Sequence, residues 1–554
     1  MKSYKKISLF SLVLLFSFTV GFITSPLDDY FEISKNLDIF GKLYSELNAN
    51  YVDETNPTEL MRTGIDAMLK QLDPYTNYIS AGEIEDYRVL STGQYSNIGA
   101  ELEKRGDLLL FKELAKEGPA AKAGLRAGDQ LIRIDAEDVQ KYDLRQVKNL
   151  LLGEKGAKVR VTVLRDGAEA PLLIEVVRDQ LENADKNVPY FGMIDERIGY
   201  IQLTGFDHDA GTEVAAAAKS LQEKNPGLSG FILDLRGNPG GLLTEAVNVS
   251  NVFVPQGEKI VEMRGRSADS KNTFSTRRSP VDTKIPVAVL INSMSASASE
   301  IVSGSIQDLD RGIVVGQRSY GKGLVQNVRP LSYNTQLKIT IAKYYTPSGR
   351  CIQAIDYSHR NPDGSVGRIP SDLITAFKTR NGRTVYDGGG VAPDIEVPKP
   401  EYQAVTNALI GQGLIFDFAT HFTSLNESIA APRSFQIDDA LYSDFVAFVR
   451  KRGFGFETET EKEMAQLAGV MEKEHYRDAL KQQYSQLMQK LEEQKGKDLT
   501  THRQEISALL KKEIIGRYYF DQGVLEASFD DDPNILEAIG VLNDPARYSR
   551  ILKP

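Results

Sequence analysis

Between residues 190 and 400 the chain alternates short apolar runs with longer runs of helical periodicity. The short runs have the length of strands and are RIGYIQL, GFILDLR, PVAVLIN, GIVVG and LKITIAKYY. The longer runs are DAGTEVAAAAKSLQE, GLLTEAVNVSNVF and ASASEIVSGSIQDL. Strands that alternate with amphipathic helices predict a sheet covered by helices. We therefore expect an α/β domain over residues 183–400.

The segments on either side have different patterns. Residues 26–88 are predicted to be a helical segment, in which a helix stops at Asp73-Pro74 because proline breaks it. Its stretch ELMRTGIDAMLKQL has one apolar stripe, formed by Leu60, Met61, Ile65, Met68 and Leu69. Residues 89–182 carry strand, turn and short-helix signals and form a separate small domain. Residues 401–554 are predicted to be mostly helical, without a catalytic signature, and to pack on the core or join subunits.

The N-terminus has the form of an export signal. Lys2, Lys5 and Lys6 precede an apolar run from about Ile7 to Ile23, which matches a basic region followed by a hydrophobic region. The run is slightly short for a spanning helix, which needs roughly 17–25 residues, and no A-x-A cleavage site follows. A cleaved signal peptide and a membrane anchor over residues 1–25 both remain open. Either one predicts that the protein lies in the periplasm or on the outer face of the cytoplasmic membrane.

Charge and cysteine content exclude several classes of function. The net charge is −10 and no long basic run is present, which argues against nucleic acid as a partner. The single cysteine, Cys351, cannot form an internal disulfide and offers no cysteine cluster to a metal. We therefore expect no cofactor and no metal.

The stretch NSMSASASE, residues 292–300, contains four serines in seven residues. It lies where an apolar strand turns sharply into a helix. A serine at that junction would have unpaired helix amides nearby, which favour a developing oxyanion. A seam of small residues between helix and sheet is the alternative, and the G-x-S-x-G elbow of many hydrolases is missing.

A nucleophilic serine needs a base, and lysine is a better candidate than histidine. The five histidines are scattered through the sequence, whereas GQRSYGKGLVQ places Lys322 between Gly321 and Gly323 in a loop between predicted strands. A lysine with an ordinary pKa near 10.4 is charged, but burial lowers that value and serine–lysine pairs are a known variant of the serine triad. The same stretch lacks the hydroxyl of a phosphate loop, because Gly323 stands in its place and a strand follows.

Four motifs together resemble one enzyme family. SASASEI, YGKGLVQ, DLRGNPGG and YYTPSGRCIQ are similar to those of the carboxyl-terminal processing peptidases, which are PDZ-containing Ser/Lys tail-specific proteases of family S41. The order and spacing fit from LDPYTNYIS to GGGVAPDIEV, over residues 70–397. The resemblance implies an α/β fold with a ClpP/crotonase-like core and an inserted PDZ domain. It also implies a serine endopeptidase that forms an acyl-enzyme.

The resemblance assigns residues to the reaction. The nucleophile is Ser297, the base is Lys322, and Gln326 orients the lysine amine. The oxyanion hole consists of backbone amides, which fall on Ala298, Gly240 and Gly241. Asp308 matches an acidic position of the family, but it follows Ser297 by eleven residues, which is about 16 Å along a helix, so we expect a structural role.

The segment AGLRAGDQLIRIDAEDV resembles part of a PDZ domain. PDZ domains add a peptide's C-terminus as a strand to a sheet edge and hold its carboxylate with backbone amides. The carboxylate loop would consist of Asn97, Ile98, Gly99 and Ala100, and the partners would be proteins or peptides with exposed C-termini. Many family members carry Arg-Gly after the second PDZ helix, where this chain has Leu152-Gly153. A non-catalytic PDZ scaffold of the cell envelope is the alternative function, and a homo-oligomer is compatible with either.

Overall fold

A computed structural model describes residues 26–84, 95–96, 98–179 and 186–553 of the chain. The predicted signal or anchor over residues 1–25 and the loop residue Asn97 lie outside this part. The chain divides into two compact units, residues 1–78 and 79–554. Within the described ranges, no helix combines the length and the apolar character needed to cross a bilayer.

The first unit contains two helices, α1 (Pro26–Asn50) and α2 (Pro57–Leu69). Asn56 caps α2 by accepting the amides of Thr58 and Glu59, and Pro57 occupies the first turn, where its missing N–H costs nothing. The chain then turns at Asp73, whose side chain accepts backbone amides, and a short strand, β1 (Asn77–Ile79), follows. The predicted helix and its stop are confirmed, but no residue of α2 is buried. Leu60 and Met68 of the predicted stripe are exposed, whereas Met61, Ile65 and Leu69 are half-buried.

A small domain of strands and short helices begins the second unit. Its main sheet has the order β3 (Ala100–Arg105), β4 (Leu108–Leu114), β5 (Gln130–Ile134), β8 (Lys158–Leu164) and β9 (Leu172–Val177). Short pieces complete it, and these are β2 (Tyr95–Ser96), β6 (Glu137–Asp138), β7 (Gly153–Glu154), α3 (Pro119–Lys122) and α4 (Leu144–Leu151). Because β3 lies at one edge of this sheet and α4 packs beside it, the two elements form the sides of a groove.

The predicted α/β domain contains a second, mostly parallel sheet. Its order is β10 (Tyr190–Met193), β11 (Ile198–Gln202), β12 (Gly230–Asp234), β15 (Val287–Ile291), β16 (Ile313–Gly316) and β23 (Ile395–Glu396). The helices of the core are α5 (Ala210–Lys224), α6 (Leu243–Phe253) and α7 (Ala298–Asp308). Successive strand residues face opposite sides: Leu233 and Val289 pack with the helices, whereas Ile232 and Ala288 belong to a second cluster on the other side. The predicted α/β fold is confirmed.

Antiparallel strands flank the core and carry one of the predicted site residues. The strands are β13 (Lys259–Gly265), β14 (Asn272–Ser275), β17 (Leu324–Pro330) and β18 (Gln336–Tyr345). The strand β18 pairs with both β13 and β17. Smaller hairpins follow in β19 (Ile355–Arg360) with β20 (Val366–Arg368) and β21 (Ala376–Lys378) with β22 (Thr384–Tyr386).

The C-terminal region is helical and has two roles in packing. Its helices are α8 (Ala404–Gly411), α9 (Leu414–Leu425), α10 (Asp439–Lys451), α11 (Glu459–Lys473), α12 (Arg477–Lys495), α13 (Asp498–Thr501), α14 (Arg503–Ser528), α15 (Pro533–Leu542) and α16 (Pro545–Leu552). Residues of α8, α9, α10 and α14 bury an apolar cluster of their own. Ile535, Val541 and Leu542 instead complete the second face of the core sheet. The predicted packing on the core is therefore observed within the chain.

Candidate active site

The four serines of residues 292–300 have different surroundings. Ser295 and Ser299 are fully buried, and their hydroxyls donate to the carbonyls of Leu235 and Asn238 at 2.8 and 2.9 Å. These two serines fasten the turn to the loop after β12. Ser293 is exposed, whereas Ser297 is half-buried at the residue that precedes α7. Ser297 therefore differs from the other three serines in being half-buried.

The backbone of Ser297 adopts a rare conformation. Its φ is 57° and its ψ is −113°, and a positive φ in a residue other than glycine costs of order 1–3 kcal/mol. Such strain persists only where the surroundings impose it, and it is common at reactive sites. The amides that follow Ser297 begin α7 and carry the partial positive charge of a helix N-terminus.

Gly240 approaches the Ser297 backbone so closely that only glycine fits. A Cβ atom on Gly240 would lie 2.8 Å from the Ser297 Cβ and 2.9 Å from the Ala298 nitrogen, and its φ is +102°. At Gly241 a Cβ atom would lie 2.5 Å from the Phe206 carbonyl oxygen. The structure thus brings Gly240 beside Ser297 and Ala298, whereas Gly241 packs against the backbone of Phe206.

The Gly240 amide already has a partner. It donates to Oδ1 of Asn238 at 2.9 Å, while the carbonyl of Asn238 accepts the Ala296 amide at 3.0 Å. Asn238 is fully buried, and its Nδ2 donates to the Leu203 carbonyl at 2.8 Å. This side chain therefore shapes the loop that faces Ser297 and engages one of the three predicted oxyanion-hole amides.

Lys322 lies in the loop between β16 and β17, as the sequence predicts, and is half-buried. Its flanking glycines are required by close approach: a Cβ atom on Gly321 would lie 2.3 Å from Cβ of Ala354, and one on Gly323 would lie 2.7 Å from the amide nitrogen of Gln353. The Lys322 amide donates to Oε2 of Glu300 at 2.9 Å. The packing of this loop therefore fixes the lysine backbone.

Glu300 joins the two predicted catalytic residues. Its Oε2 accepts the amides of both Ser297, at 2.8 Å, and Lys322, at 2.9 Å. Its Oε1 accepts the Gly321 amide at 2.7 Å and the Ser319 hydroxyl. Burial raises the pKa of this fully buried carboxyl, while these four hydrogen bonds oppose that effect. One buried carboxylate therefore holds the serine turn and the lysine loop together.

Tyr344 makes a second connection between them. Its hydroxyl lies 3.0 Å from the Ser297 carbonyl oxygen and also contacts the Lys322 carbonyl oxygen, while its own amide donates to Gly323 at 3.0 Å. The ring is almost completely buried. Sequence reasoning missed both Glu300 and Tyr344. The S-x-x-E spacing from Ser297 to Glu300, typical of a helix-capping box, is a signal that could have identified the first.

Gln326 lies on β17, directly opposite Thr340 of β18. Its Nε2 donates to the Thr340 hydroxyl at 3.1 Å, so its side-chain oxygen can accept a hydrogen bond from another group. Asp308 has the structural role expected of it. It forms a buried ion pair with Arg350 at 2.9 Å and accepts the Ser348 amide at 3.0 Å.

Three of the four predicted residues of the PDZ carboxylate loop are described. Ile98 is buried in the domain core, and its carbonyl accepts the Ala120 amide at 2.7 Å. Gly99 has a φ of +69°, and Ala100 begins the edge strand β3. Leu152 follows α4, and the guanidinium of Arg178 donates to the carbonyls of Leu150 and Leu151 at 3.0 and 2.9 Å. Arg178 thereby caps the C-terminus of α4.

Two of the histidines form pairs with aspartates away from the Ser297 turn. His421 pairs with Asp166 at 2.9 Å and His359 with Asp356 at 2.7 Å, and neither pair includes a residue of the Ser297 turn. Across the described ranges, no group of three or more His, Cys, Asp and Glu side chains is arranged to hold a metal ion.

Comparison with known proteins gives three matches along the chain. Residues 197–363 match peptidase family S41, residues 111–165 match a PDZ domain, and residues 405–542 match the C-terminal helical domain of probable PDZ-proteases. All three segments match domains that the fold contains.

Named relatives are similar over more than half of the chain. A carboxy-terminal-processing protease of Bartonella bacilliformis is 37% identical over 323 residues, which are 58% of this chain and 73% of the relative. The carboxy-terminal processing protease CtpA of Bacillus subtilis is 31% identical over 57% of this chain and 66% of its own length. Among solved structures, the photosystem II D1 C-terminal processing protease is 25% identical with a TM-score of 0.37, and the match covers 68% of this chain and 96% of that one.

Proposed function

Because the chain belongs to the carboxy-terminal processing proteases, serine-type peptidases of family S41 with a PDZ domain, we propose that Ser297 and Lys322 form its catalytic dyad. One observation carries this assignment. The buried Glu300 carboxylate accepts the backbone amides of both residues on the same oxygen, at 2.8 and 2.9 Å. A serine in a strained turn and a lysine in a glycine-flanked loop are thereby fixed against each other.

The dyad would work by acyl transfer. The Ser297 Oγ attacks the peptide carbonyl carbon, and its proton passes to the neutral Lys322 Nζ. The lysine returns this proton to the leaving amine as the C–N bond breaks, which leaves an acyl-enzyme ester. Water then attacks the ester with Lys322 again as the base, which releases the acid and restores the serine.

Backbone amides would stabilise the oxyanion. Ala298 is the first residue of α7, so its amide points out of the helix N-terminus, and Gly241 lies on the adjoining loop. The Gly240 amide can take part only if it leaves Asn238 Oδ1, to which it donates at 2.9 Å. We therefore assign the main role to Ala298 and Gly241. Gln326 would accept a hydrogen bond from the Lys322 amine through its carbonyl oxygen, because its Nε2 is engaged with Thr340.

The PDZ domain would capture the substrate. A peptide can add to β3, which lies at the edge of its sheet beside α4, with its carboxylate at the loop of residues 97–100. Its C-terminal side chain would enter the apolar cluster that includes Ile98 and Val147, which favours an apolar residue. The basic and apolar N-terminus supports export, with either a cleaved signal or a membrane anchor, to the periplasm or the outer face of the membrane. Homo-oligomerisation is compatible with the apolar side chains exposed on α1, such as Leu37 and Phe40.

Mutation and labelling test the dyad. Ser297→Ala and Lys322→Ala should each lower kcat by at least about 1,000-fold while the protein still unfolds cooperatively. Lys322→Arg should fail as well, since guanidinium does not give up its proton. The matched control is Ser293→Ala, which removes an exposed serine from the same turn. A fluorophosphonate should label Ser297 in a tryptic peptide of the wild type. Labelling at another serine, or substantial activity in either alanine variant, would overturn the assignment.

A further inference from the structure

The helical C-terminal region holds the PDZ domain at two places. At the first, α9 is fixed by polar pairs: Arg105 at the end of β3 bonds Asp417 at 2.8 Å, and Asp166 bonds His421 at 2.9 Å. The approach is close, because a Cβ atom on Gly128 would lie 2.4 Å from the side chain of Thr420. This part of the joint resembles an ordinary polar domain interface.

The second place is residues 517–522 of α14, which we call the latch segment. The Arg517 guanidinium donates to the Lys112 carbonyl, and Lys116 donates to Gln522, both at 3.3 Å. Between them, Asp521 lies close enough to Glu113 to raise the pKa of the Glu113 carboxyl. The latch segment therefore lies along the end of β4.

The end of β4 is next to the predicted carboxylate loop. In the sheet register Leu114 faces Ala100 and Glu113 faces Glu101. Just beyond the strand, the Ala115 amide donates to the Gly99 carbonyl at 2.9 Å. The latch segment consequently lies beside the place where a peptide carboxylate would bind.

Phe520 is the residue of the latch segment that departs most from its helix. Its φ is 57° and its ψ is −164°, so it interrupts α14, and a positive φ is a rare conformation for so bulky a residue. Its ring packs against the apolar cluster of the PDZ domain rather than that of its own domain. Such a conformation persists where the surrounding contacts impose it, and the packing of Phe520 on the PDZ domain is one such contact.

The C-terminus of a substrate would bind to the same surface of the PDZ domain. The C-terminal side chain of a PDZ ligand enters an apolar site beside the carboxylate loop, and Phe520 already presents an aromatic ring to the apolar cluster.

We propose that the latch segment is an internal competitor of the substrate: Phe520 covers the PDZ surface that the substrate's apolar C-terminal residue requires, and substrate binding displaces it. This inference rests on the proposed recognition of C-termini by the PDZ domain. If the site is open in only a fraction of the molecules, the apparent Kd equals the intrinsic Kd divided by that fraction. Weakening the latch segment should therefore raise affinity for substrate.

Peptide binding to full-length protein tests the competition. The Ser297→Ala protein binds a fluorescent peptide that ends in an apolar residue with a free carboxylate, and the Kd is compared with and without Phe520→Ala. We expect Phe520→Ala to lower the Kd by about 5-fold or more, the smaller end of typical coupling between sites. The matched control is Phe454→Ala, which removes a ring stacked on Phe456 inside the helical domain. It should leave the Kd unchanged. An equal or weaker affinity in the Phe520→Ala protein would overturn the proposal.

A cross-link provides a second measurement in case Phe520→Ala disturbs folding. Lys116→Cys and Gln522→Cys, in a Cys351→Ser background, are joined by a short bismaleimide, which holds the latch segment on β4. The cross-linked protein should lose peptide binding, and the same protein before cross-linking should keep it. If neither Phe520→Ala nor the cross-link altered the binding of a free-acid peptide, this inference alone would be overturned. Equal binding of acid and amide peptides by every variant would overturn the proposed recognition of C-termini and this inference with it.

Discussion

The hydroxyl of Tyr344 lies 3.0 Å from the carbonyl oxygen of Ser297 and contacts the carbonyl oxygen of Lys322 as well. On the amide side, Glu300 makes the equivalent connection between the same two residues. Both residues of the proposed dyad are therefore fixed through their backbones, which leaves their side chains to carry out the reaction.

The first prediction concerns Tyr344. Tyr344→Phe keeps the buried ring but removes the hydroxyl, so the lysine loop should shift relative to Ser297. We expect kcat to fall by about 10- to 100-fold, since small misplacements of reacting groups have effects of that size, with KM nearly unchanged. Loss of the buried hydrogen bond should also lower stability by about 1–3 kcal/mol.

Steady-state kinetics and thermal unfolding check this prediction against a neighbour. Tyr345→Phe is the control, because Tyr345 faces Arg264, which lies 4.1 Å from its ring centre. A Tyr344→Phe enzyme with the kcat of wild type, or an equal loss in both variants, would count against a positioning role.

The second prediction concerns pH. The hydrogen bond with Asp521, burial and the charges of Asp521 and Glu101 raise the pKa of Glu113 from 4.5 to about 7, while Lys112 lowers it. Arg517 is the other charge that faces it. A carboxyl whose pKa is raised on docking stabilises the docked state below its undocked pKa, and this contribution is lost as the pH rises through the docked value. Docking of the latch segment should therefore weaken between about pH 4.5 and 7.

The Kd of a free-acid peptide, measured with the Ser297→Ala protein across this range, reports the effect. Affinity should increase as the pH rises. Asp521→Asn should flatten the curve. The asparagine amide can donate a hydrogen bond to an ionised Glu113, so the pKa of Glu113 is no longer raised by a neighbouring carboxylate. A curve of the same shape in both proteins would contradict the prediction.

Periodicity and motifs predicted the strands and helices of the core and the loop that carries Lys322, because each depends on residues close in sequence. The connection from Glu300 to Lys322 and the contacts of Tyr344 could not be predicted in the same way. Tyr344 follows Ser297 by 47 residues and meets it only after β18 has paired beside the core. The kink at Phe520 was also unpredictable, since its ring packs on a different domain. The apolar stripe of α2 shows the reverse case, in which the helix is predicted correctly but none of its residues is fully buried.

The third prediction concerns Leu152 and Arg178. Leu152 stands where the resemblance implies an arginine and cannot donate hydrogen bonds from its side chain, and Arg178 donates to the carbonyls at the end of α4. Leu152→Arg should change kcat/KM by less than about 10-fold, since no reacting group is altered. Arg178→Ala removes hydrogen bonds to Leu150, Leu151 and Lys158 and should destabilise the PDZ domain by about 1–3 kcal/mol. Cleavage assays and the melting curve measure the two effects, and complete inactivity of a folded Leu152→Arg enzyme would contradict the first.

The last prediction concerns the C-terminal helices that complete the core. Ile535 is fully buried against the second face of the sheet, whereas its neighbour Leu536 is 46% exposed. Ile535→Ala should lower the free energy of unfolding by about 2–5 kcal/mol, the range for a large side chain removed from a core. Leu536→Ala should change it by about 0.5 kcal/mol or less. Truncation near residue 400 removes the whole cover, which also includes Val541 and Leu542, and should abolish cooperative unfolding. Without these helices, an apolar sheet face that includes Ile232 and Leu290 would be exposed to water. A truncated protein that melted like the full-length chain would contradict this prediction.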